Sequence, residues 1–206
     1  VVPINRFYVN RQYMNSVAVS NALVISAHPD DEVLGAGGTM VKLAREGTDV
    51  FVVYVGTGIS ARYEDPEKFN LEIDEQMKEI RQDAMNATKL LHVRKTFFLD
   101  FADNRLDSIS AMEITHKLRR IVMEIKPKVV FTHHHGDYNW DHKKVYEASL
   151  MACRPNFGDF YPETILSYEV LSSTERAFQT PQFVFCPNYY VDIKDSVELK
   201  KQATNL

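Results

Sequence analysis

From Asn21 onward the chain alternates short apolar runs with longer amphipathic stretches. Apolar runs without polar interruption are typical of strands that are buried on both faces of a parallel sheet. Stretches with apolar residues three and four positions apart are typical of surface helices. The predicted strands cover residues 22–27, 50–55, 96–101, 129–132, 164–170, 182–185 and 189–193, and the predicted helices cover residues 35–46, 71–91, 111–125, 143–152 and a last segment from Asp195.

This alternation predicts an α/β fold, a three-layer Rossmann-like domain with a mainly parallel sheet between two layers of helices. We expect a single domain over residues 21–206, because a chain of 206 residues is too short for two ordinary domains. Residues 1–20 are predicted to be an N-terminal extension whose origin the sequence leaves open. The pattern is still helical at Leu206, so a domain truncated at its C-terminus is also an open alternative.

Composition and charge limit the classes of partner. Hydrophobic residues make up 45% of the chain and charged residues 25%, which is typical of a soluble globular protein. The formal net charge of -4 gives no electrostatic reason to bind nucleic acid or an anionic membrane, and we expect neither as a partner. Cys153 and Cys186 are expected to be free thiols. The start of the chain lacks the order of a secretory signal, which favours a cytoplasmic location.

Two polar clusters follow predicted strands. The first is His28-Pro29-Asp30-Asp31-Glu32 after the first strand, and the second covers residues 133–142 after the fourth. Five of the seven histidines of the chain lie in these two clusters. In open α/β sheets the ligand site lies beyond the carboxyl ends of the strands. The two clusters are therefore expected to form one site.

Imidazole and carboxylate groups suit zinc, and a catalytic zinc typically takes three protein ligands and leaves one position for water. His28 and Asp31 are the predicted ligands from the first cluster, and His142, near the start of a predicted helix, is the third. The consecutive histidines 133–135 would point to alternate faces if extended and could not all bind one ion. We expect zinc as the cofactor, with other divalent metals as an open alternative.

Asp30 and Asp31 are adjacent and cannot both bind one metal ion with good geometry. Asp30 is therefore predicted to be the general base that takes a proton from the attacking water. The alternative is that one of the two aspartates simply caps the helix that follows. Gly35, Gly37 and Gly38 match neither of the common phosphate-binding motifs, so we expect them to allow tight packing near the start of that helix.

The residues of the first cluster resemble the signature of a known family. Ala27-His28-Pro29-Asp30-Asp31-Glu32, followed by Gly35 and Gly37-Gly38-Thr39, is similar to the motif of the LmbE-like (PIG-L) zinc-dependent N-deacetylases. Asp141-His142 and the segments 172–175 and 187–193 are also similar, so the resemblance covers most of the chain. It implies a Rossmann-like fold, zinc held by His28, Asp31 and His142, and Asp30 as the base.

The resemblance also implies a function, namely hydrolysis of a linear amide on a small, usually sugar-containing substrate. An N-acetylated amino sugar or its conjugate is the expected substrate. Two alternatives remain open: another zinc-dependent small-molecule amidase or ester hydrolase, and a non-catalytic sugar- or nucleotide-binding protein. A homo-oligomer is an open expectation as well.

One position departs from the pattern of several relatives, which have a His-x-x-His pair where this chain has Asn139 and His142. We place Asn139 and Asp141 in the predicted catalytic site. Asparagine can donate a hydrogen bond to an oxyanion but cannot act as a general acid. The proton for the leaving amine is therefore expected from Asp30, or from one of the histidines 133–135 with Asp137 orienting it.

Substrate contacts are predicted from residues at the same edge of the sheet. They are expected to meet sugar hydroxyls or an anionic group. An open alternative is that the arginines only pair with neighbouring acids. The predicted substrate-binding residues are Arg62, Asp103, Asn104, Arg105 and Asp137.

Overall fold

The structure is a computed structural model that describes residues 12–13, 19–59, 71–156 and 158–206. The strands are β1 (Gln12–Tyr13), β2 (Asn21–Ser26), β3 (Asp49–Gly56), β4 (Lys95–Phe101), β5 (Val129–Thr132), β6 (Thr164–Ser167) and β7 (Tyr189–Tyr190). The helices are α1 (Asp31–Arg45), α2 (Leu71–Leu90), α3 (Ala111–Ile125), α4 (Trp140–Cys153) and α5 (Val197–Thr204), with short 3-10 turns at Leu106–Ser108 and Thr174–Arg176.

Five strands form the main sheet in the order β4-β3-β2-β5-β6, and every neighbouring pair is parallel. The central strand, β2, contains an uninterrupted apolar run because both of its faces are buried. Ala22 and Val24 pack into one hydrophobic cluster and Leu23 and Ile25 into the other. Successive side chains point to opposite faces of a sheet, so both faces are covered.

Helices cover both faces of this sheet. Buried residues of α1, α2 and α5 belong to the cluster on one face, and those of α3 and α4 belong to the cluster on the other. The described chain therefore has three layers, which confirms the predicted α/β fold class. In the described part of the chain, no helix is both long and apolar enough to cross a membrane.

The structure corrects two of the predicted strands. Residues 182–185 form turn and loop, because Phe183 and Val184 donate their backbone N–H groups to the carbonyl of Thr180 rather than to a strand. Phe185 of this run packs against His134, with the two rings nearly perpendicular and their centroids 5.2 Å apart. The last strand is only the short β7, which pairs with β1 outside the main sheet.

The strand order places the two polar clusters side by side. α1 follows β2 on one face of the sheet and α4 follows the neighbouring β5 on the other. The chain therefore leaves these adjacent strands in opposite directions, which opens a crevice at their carboxyl ends. His28 follows β2 and His133 follows β5, so both clusters lie at this crevice.

Candidate metal centre and active site

His28, Asp31 and His142 come together at the carboxyl edge of the sheet. One ligand atom from each of them lies within 4.8 Å of the other two. Nε2 of His142 is 3.3 Å from Oδ1 of Asp31, and Nδ1 of His28 is 3.6 Å from Oδ2 of Asp31. The structure thus brings together the three residues that the sequence predicts as metal ligands.

The donor set fits a metal ion. Nε2 of His142 is a buried polar atom without a hydrogen-bond partner in the described structure. Nearly all buried polar atoms in proteins have a partner, so an unpaired nitrogen that faces a buried carboxylate needs an explanation. Two imidazole nitrogens and a carboxylate oxygen around a common point form a donor set that a zinc-like cation completes.

Two further carboxylates contact the ring nitrogens of His28 and His142 that face away from Asp31. Oδ2 of Asp141 lies 3.0 Å from Nε2 of His28, and Oδ1 of Asp137 lies 3.2 Å from Nδ1 of His142. A carboxylate only accepts hydrogen bonds, so the proton of each neutral imidazole sits on the nitrogen that faces the carboxylate. The other nitrogen of each ring is then free to bind a metal, as is usual for metal-binding histidines.

The same contacts shift the pKa values of the cluster. Burial lowers the pKa of His28, but hydrogen bonds to Asp141 and Asp31 outweigh it and raise this pKa to about 10. Burial likewise lowers the pKa of His142, while the charge of Asp31 and the hydrogen bond to Asp137 raise it to about 9. For Asp31, burial acts to raise the pKa, but the charge of His142 holds it well below its usual range.

His133 packs against the candidate ligand His142 in the interior of the protein. Its ring stacks on that of His142 with centroids 4.0 Å apart, and its Nε2 accepts a hydrogen bond of 2.8 Å from the backbone N–H of Ala27. His133 is fully buried, and burial together with the charge of His142 lowers its pKa to about 3. It is therefore a neutral packing partner of a candidate ligand.

The expectation that a histidine from 133–135 donates the catalytic proton does not fit these positions. Ring nitrogens of His134 and His135 lie 2.9 Å and 2.8 Å from the carbonyl oxygens of Phe183 and Gln182. None of the three histidines lines the cavity that opens onto the candidate metal ligands. The side chains of His134 and His135 instead attach the histidine segment to the loop at residues 182–183.

Asp30 occupies the N-cap position of α1, but its side chain makes no capping hydrogen bond. Its φ of 111° is unusual for a residue with a side chain, and such backbone strain is often found at functional sites. The backbone N–H of Asp30 donates to Oε2 of Glu32 at 3.2 Å, and the hydroxyl of buried Tyr54 donates to the other oxygen of Glu32. Asp30 is exposed and is one of the residues that line the cavity.

The surroundings of Asp30 change its acidity. Partial desolvation of its carboxylate and the charge of Asp31 raise the pKa of Asp30 to about 7. A carboxyl group with a pKa near 7 can both accept and return a proton at neutral pH. The alternative that Asp30 only caps the helix is not supported, because the capping bond is missing.

Asn139 and Asp141 form the start of α4. Oδ1 of Asn139 accepts a hydrogen bond of 2.9 Å from the backbone N–H of Asp141, so this side chain caps the helix. The partner is a donor, which fixes the orientation of the amide and leaves its NH₂ group available as a donor. Asp141 is 1% exposed and also accepts hydrogen bonds from the backbone N–H groups of Asn104 and Leu106.

The predicted substrate contacts divide between the cavity and its surroundings. Asp103 and Asn104 line a cavity of about 610 Å³ that includes the three candidate ligands. Arg105 is exposed and is not part of the cavity lining. Arg62 lies outside the described residues.

Asp137, which the sequence predicts as a substrate contact, lies buried behind the candidate ligands. Asp137 has no exposed surface, and its Oδ2 accepts hydrogen bonds of 2.7 Å from Thr174 and 3.1 Å from Ser173. Oδ1 accepts from the backbone N–H of Asn139 and faces His142. Both oxygens are therefore used to hold other residues of the site.

Several cavity residues are missing from the sequence prediction. Ser173 touches the ring of His142, with its hydroxyl oxygen 3.3 Å from Nδ1. Residues 172–176 follow β6, so the rule that places polar residues at strand ends could have identified them. The cavity-lining residues that were not predicted as contacts include Tyr138, Trp140, Ser172, Ser173 and Arg176.

Comparisons with known proteins identify the family of the chain. The model of the PIG-L family, described as GlcNAc-PI de-N-acetylase, matches residues 23–153, which is more than half of the chain. The protein is 33% identical to the uncharacterized deacetylase YaiS of Escherichia coli over 177 residues, which covers 84% of this chain and 85% of YaiS.

Two solved structures are similar along most of the chain. The N,N'-diacetylchitobiose deacetylase of Pyrococcus horikoshii has a TM-score of 0.69 and 27% identity, covering 90% of this chain and 68% of the other. The 4-carboxy-2-hydroxymuconate hydratase of Pseudomonas putida has a TM-score of 0.68 and 25% identity, covering 90% and 77%. The fold alone therefore does not define the reaction. The chain belongs to the PIG-L family of N-deacetylases, which confirms the family and the enzyme class, a hydrolase, that its sequence predicts.

Proposed function

We propose that the protein is a zinc-dependent hydrolase that removes an acetyl group from the amide nitrogen of a small N-acetylated amino sugar or its conjugate. The observation that carries this proposal is the cluster of His28, Asp31 and His142 at a cavity that also exposes Asp30. The similarity to a diacetylchitobiose deacetylase supports a sugar-containing substrate.

The metal would be held by the imidazole nitrogens of His28 and His142 that face Asp31, together with the carboxylate of Asp31. Three such ligands leave a position open for water or substrate. Zinc suits this donor set best, and another divalent metal would use the same ligands. A bound metal ion would supply Lewis acidity, which makes water more acidic and polarises a carbonyl oxygen.

Asp30 is the proposed base. It lies at the cavity wall, and its raised pKa matches the task of taking a proton from water near neutral pH. The water oxygen bonds to the amide carbon as its proton moves to Asp30. When the bond between this carbon and nitrogen breaks, Asp30 returns the proton to the leaving nitrogen. The products are a free amine and acetic acid, which ionises to acetate in water.

Asn139 and Asp141 have different proposed roles. The NH₂ group of Asn139 donates a hydrogen bond to the oxyanion that develops during attack. Since an amide cannot give up a proton, the return of the proton falls to Asp30. Asp141 is a positioning residue that holds His28 rather than a group that touches substrate.

The proposal is tested with acetate release from a panel of N-acetylated amino sugars and simple acyl amides, together with metal analysis of the purified protein. Asp30→Asn keeps the shape of the side chain but removes the base. We expect kcat to fall by about 10²–10⁴, while the metal content stays that of the unaltered protein.

The matched control is Asp107→Asn. Asp107 is exposed and is not among the residues that line the cavity, so this variant should keep full activity. Full activity of Asp30→Asn would overturn the mechanism. If the zinc-loaded protein released no acetate from any member of the panel, the proposed function itself would be wrong.

The remaining expectations stay predictions. Residues 21–206 are proposed as one catalytic domain, although Gln12 and Tyr13 of the predicted extension pair with β7. The absence of nucleic-acid and membrane partners, a homo-oligomeric state and a location in the cytoplasm are likewise predictions.

A further inference from the structure

Two large aromatic side chains stand at the cavity with most of their surface in water. Tyr138 is 61% exposed and Trp140 is 70% exposed, and both line the cavity that contains the candidate metal ligands. Trp140 is the single tryptophan of the chain. The two residues flank Asn139 and lie just before His142.

Such exposure is unusual for these side chains. Tryptophan is highly buried on average, and burying an aromatic ring removes up to about 250 Å² from water. Within the described residues, neither ring stacks on another aromatic side chain, whereas the nearby rings of His133 and His142 do stack. Most of the surface of Tyr138 and Trp140 is therefore open to a ligand in the described part of the site.

The groups around these rings are polar. The same cavity is lined by Asn104, Ser172 and Arg176, whose side chains offer hydrogen-bond donors and acceptors. A sugar ring has an apolar face of C–H groups and a polar edge of hydroxyls. An aromatic face surrounded by donors and acceptors matches both parts of such a ring.

The size of the cavity argues for a substrate larger than one acetamido group. A volume of about 610 Å³ is in the middle of the range for pockets that hold ligands of drug size. The metal ligands and Asp30 would contact only the amide group that reacts. The exposed rings are therefore available to a part of the substrate that does not react.

We propose that Trp140, with Tyr138 beside it, forms a stacking subsite for a second sugar ring that is linked to the N-acetylated ring. This inference rests on the proposed deacetylase function and names the substrate class more closely, as a glycoside of at least two rings. The continuity of the rings with the catalytic cavity favours a substrate ring over a partner protein, which would need a broader exposed patch.

A binding experiment tests the subsite without turnover. The Asp30→Asn variant is titrated with N,N'-diacetylchitobiose, which has two rings, and with the methyl glycoside of N-acetylglucosamine, which has one. Because Trp140 is the only tryptophan, its fluorescence reports on this position alone. We expect a blue shift at saturation with the two-ring sugar, since the indole becomes covered, and a much smaller shift with the one-ring sugar.

A kinetic experiment gives a second readout. The ratio of kcat/KM for the two-ring sugar to that for the one-ring sugar should fall about tenfold in Trp140→Ala, because a stacking contact contributes about 1.4 kcal/mol. Trp140→Phe keeps an aromatic face and should retain most of the ratio. Phe178→Ala is the matched control, since Phe178 is 85% exposed and outside the cavity lining.

The outcomes are distinct. An unchanged ratio in Trp140→Ala, or no spectral shift with the two-ring sugar, would overturn the subsite. A change of oligomeric state in Trp140→Ala, seen by size-exclusion chromatography, would also overturn it, because the ring would then belong to an interface between copies of the chain. If the zinc-loaded protein releases no acetate from any member of the substrate panel, the proposed function fails, whereas the fluorescence titration still decides whether Trp140 binds a sugar ring.

Discussion

Nε2 of His28 and Oδ2 of Asp141 lie 3.0 Å apart, although the two residues are 113 positions apart in the chain. Asp141 is almost fully buried and also accepts hydrogen bonds from two backbone N–H groups, at Asn104 and Leu106. It therefore connects three segments at the carboxyl edge of the sheet. The contact fixes the proton of His28 on Nε2 and leaves Nδ1 for a metal ion.

We expect Asp141→Asn to weaken metal binding about 10- to 100-fold, because the neutral amide holds the imidazole less firmly and makes it a weaker base. The dissociation constant for zinc, measured by competition with a chromophoric chelator, checks this. Asp107→Asn is the control and should bind zinc like the unaltered protein. If both variants bound zinc equally well, Asp141 would not position His28.

Metal binding should release protons. In the metal-free protein the pKa of His28 is raised to about 10 and that of His142 to about 9. Both rings are therefore positively charged at pH 7.5, and each carries a second proton that a metal ion must displace. Metal-binding histidines are neutral, which gives an expected release of about two protons per ion at this pH. Calorimetric titrations in buffers of different ionisation enthalpy measure this number.

The sign of the pH dependence follows from the same shifts. Below the raised pKa values, protons compete with the metal, so affinity should increase as the pH rises from 6 to 9. A release close to zero at pH 7.5 would show that the two rings are already neutral in the metal-free protein. Such a result would contradict the protonated cluster.

The activity should depend on the protonation of Asp30. Partial loss of water and the charge of Asp31 raise the pKa of Asp30 to about 7, and a base works only when it has lost its proton. Hydrolysis should therefore increase with pH across an acidic limb. A bound cation lowers this pKa, so the limb should lie between 3.8, the usual pKa of an aspartate, and about 7.

The profile of kcat/KM against pH, measured with zinc in excess, locates this limb. Circular dichroism at each pH value shows whether the protein stays folded, so that loss of activity is not confused with unfolding. A flat profile from pH 4 to pH 8 in folded protein would be inconsistent with Asp30 as the base.

The sequence predicts those parts of the site that depend on which residues directly follow a strand. Parallel strands end at one edge of a sheet, so polar residues directly after strands were expected to meet there, and His28, Asp31 and His142 do meet. The fold followed from the same periodicity. What the sequence could not predict were contacts between distant side chains.

Asp141 and Asp137 illustrate this limit. Each lies next to residues with obvious chemistry, yet its role depends on which distant group faces it, His28 for the first and Ser173 and Thr174 for the second. The position of a side chain in the interior is determined by packing of the whole fold, which single-chain patterns do not contain. The exposure of Trp140 was not predictable for the same reason.

Gly35 lies where helix α1 packs closely against the ring of Tyr168. A Cβ atom at this position in α1 would lie 2.2 Å from Cδ2 of Tyr168, a buried ring whose hydroxyl donates to the carbonyl of Ile25 at 2.9 Å. The ring cannot move aside without losing this hydrogen bond. We expect Gly35→Ala to lower the free energy of unfolding by about 1–3 kcal/mol, the usual cost of overpacking.

Gly37→Ala is the matched control in the same helix. There the nearest atom to an added Cβ is Cγ of Lys200 at 3.4 Å, part of a flexible side chain that can move. Alanine is favoured over glycine inside a helix by roughly 0.5–1 kcal/mol, so this variant should be slightly more stable than the unaltered protein. Urea unfolding of both variants gives the two values. Equal effects would mean that helix propensity, and not the contact with Tyr168, determines why glycine is present at position 35.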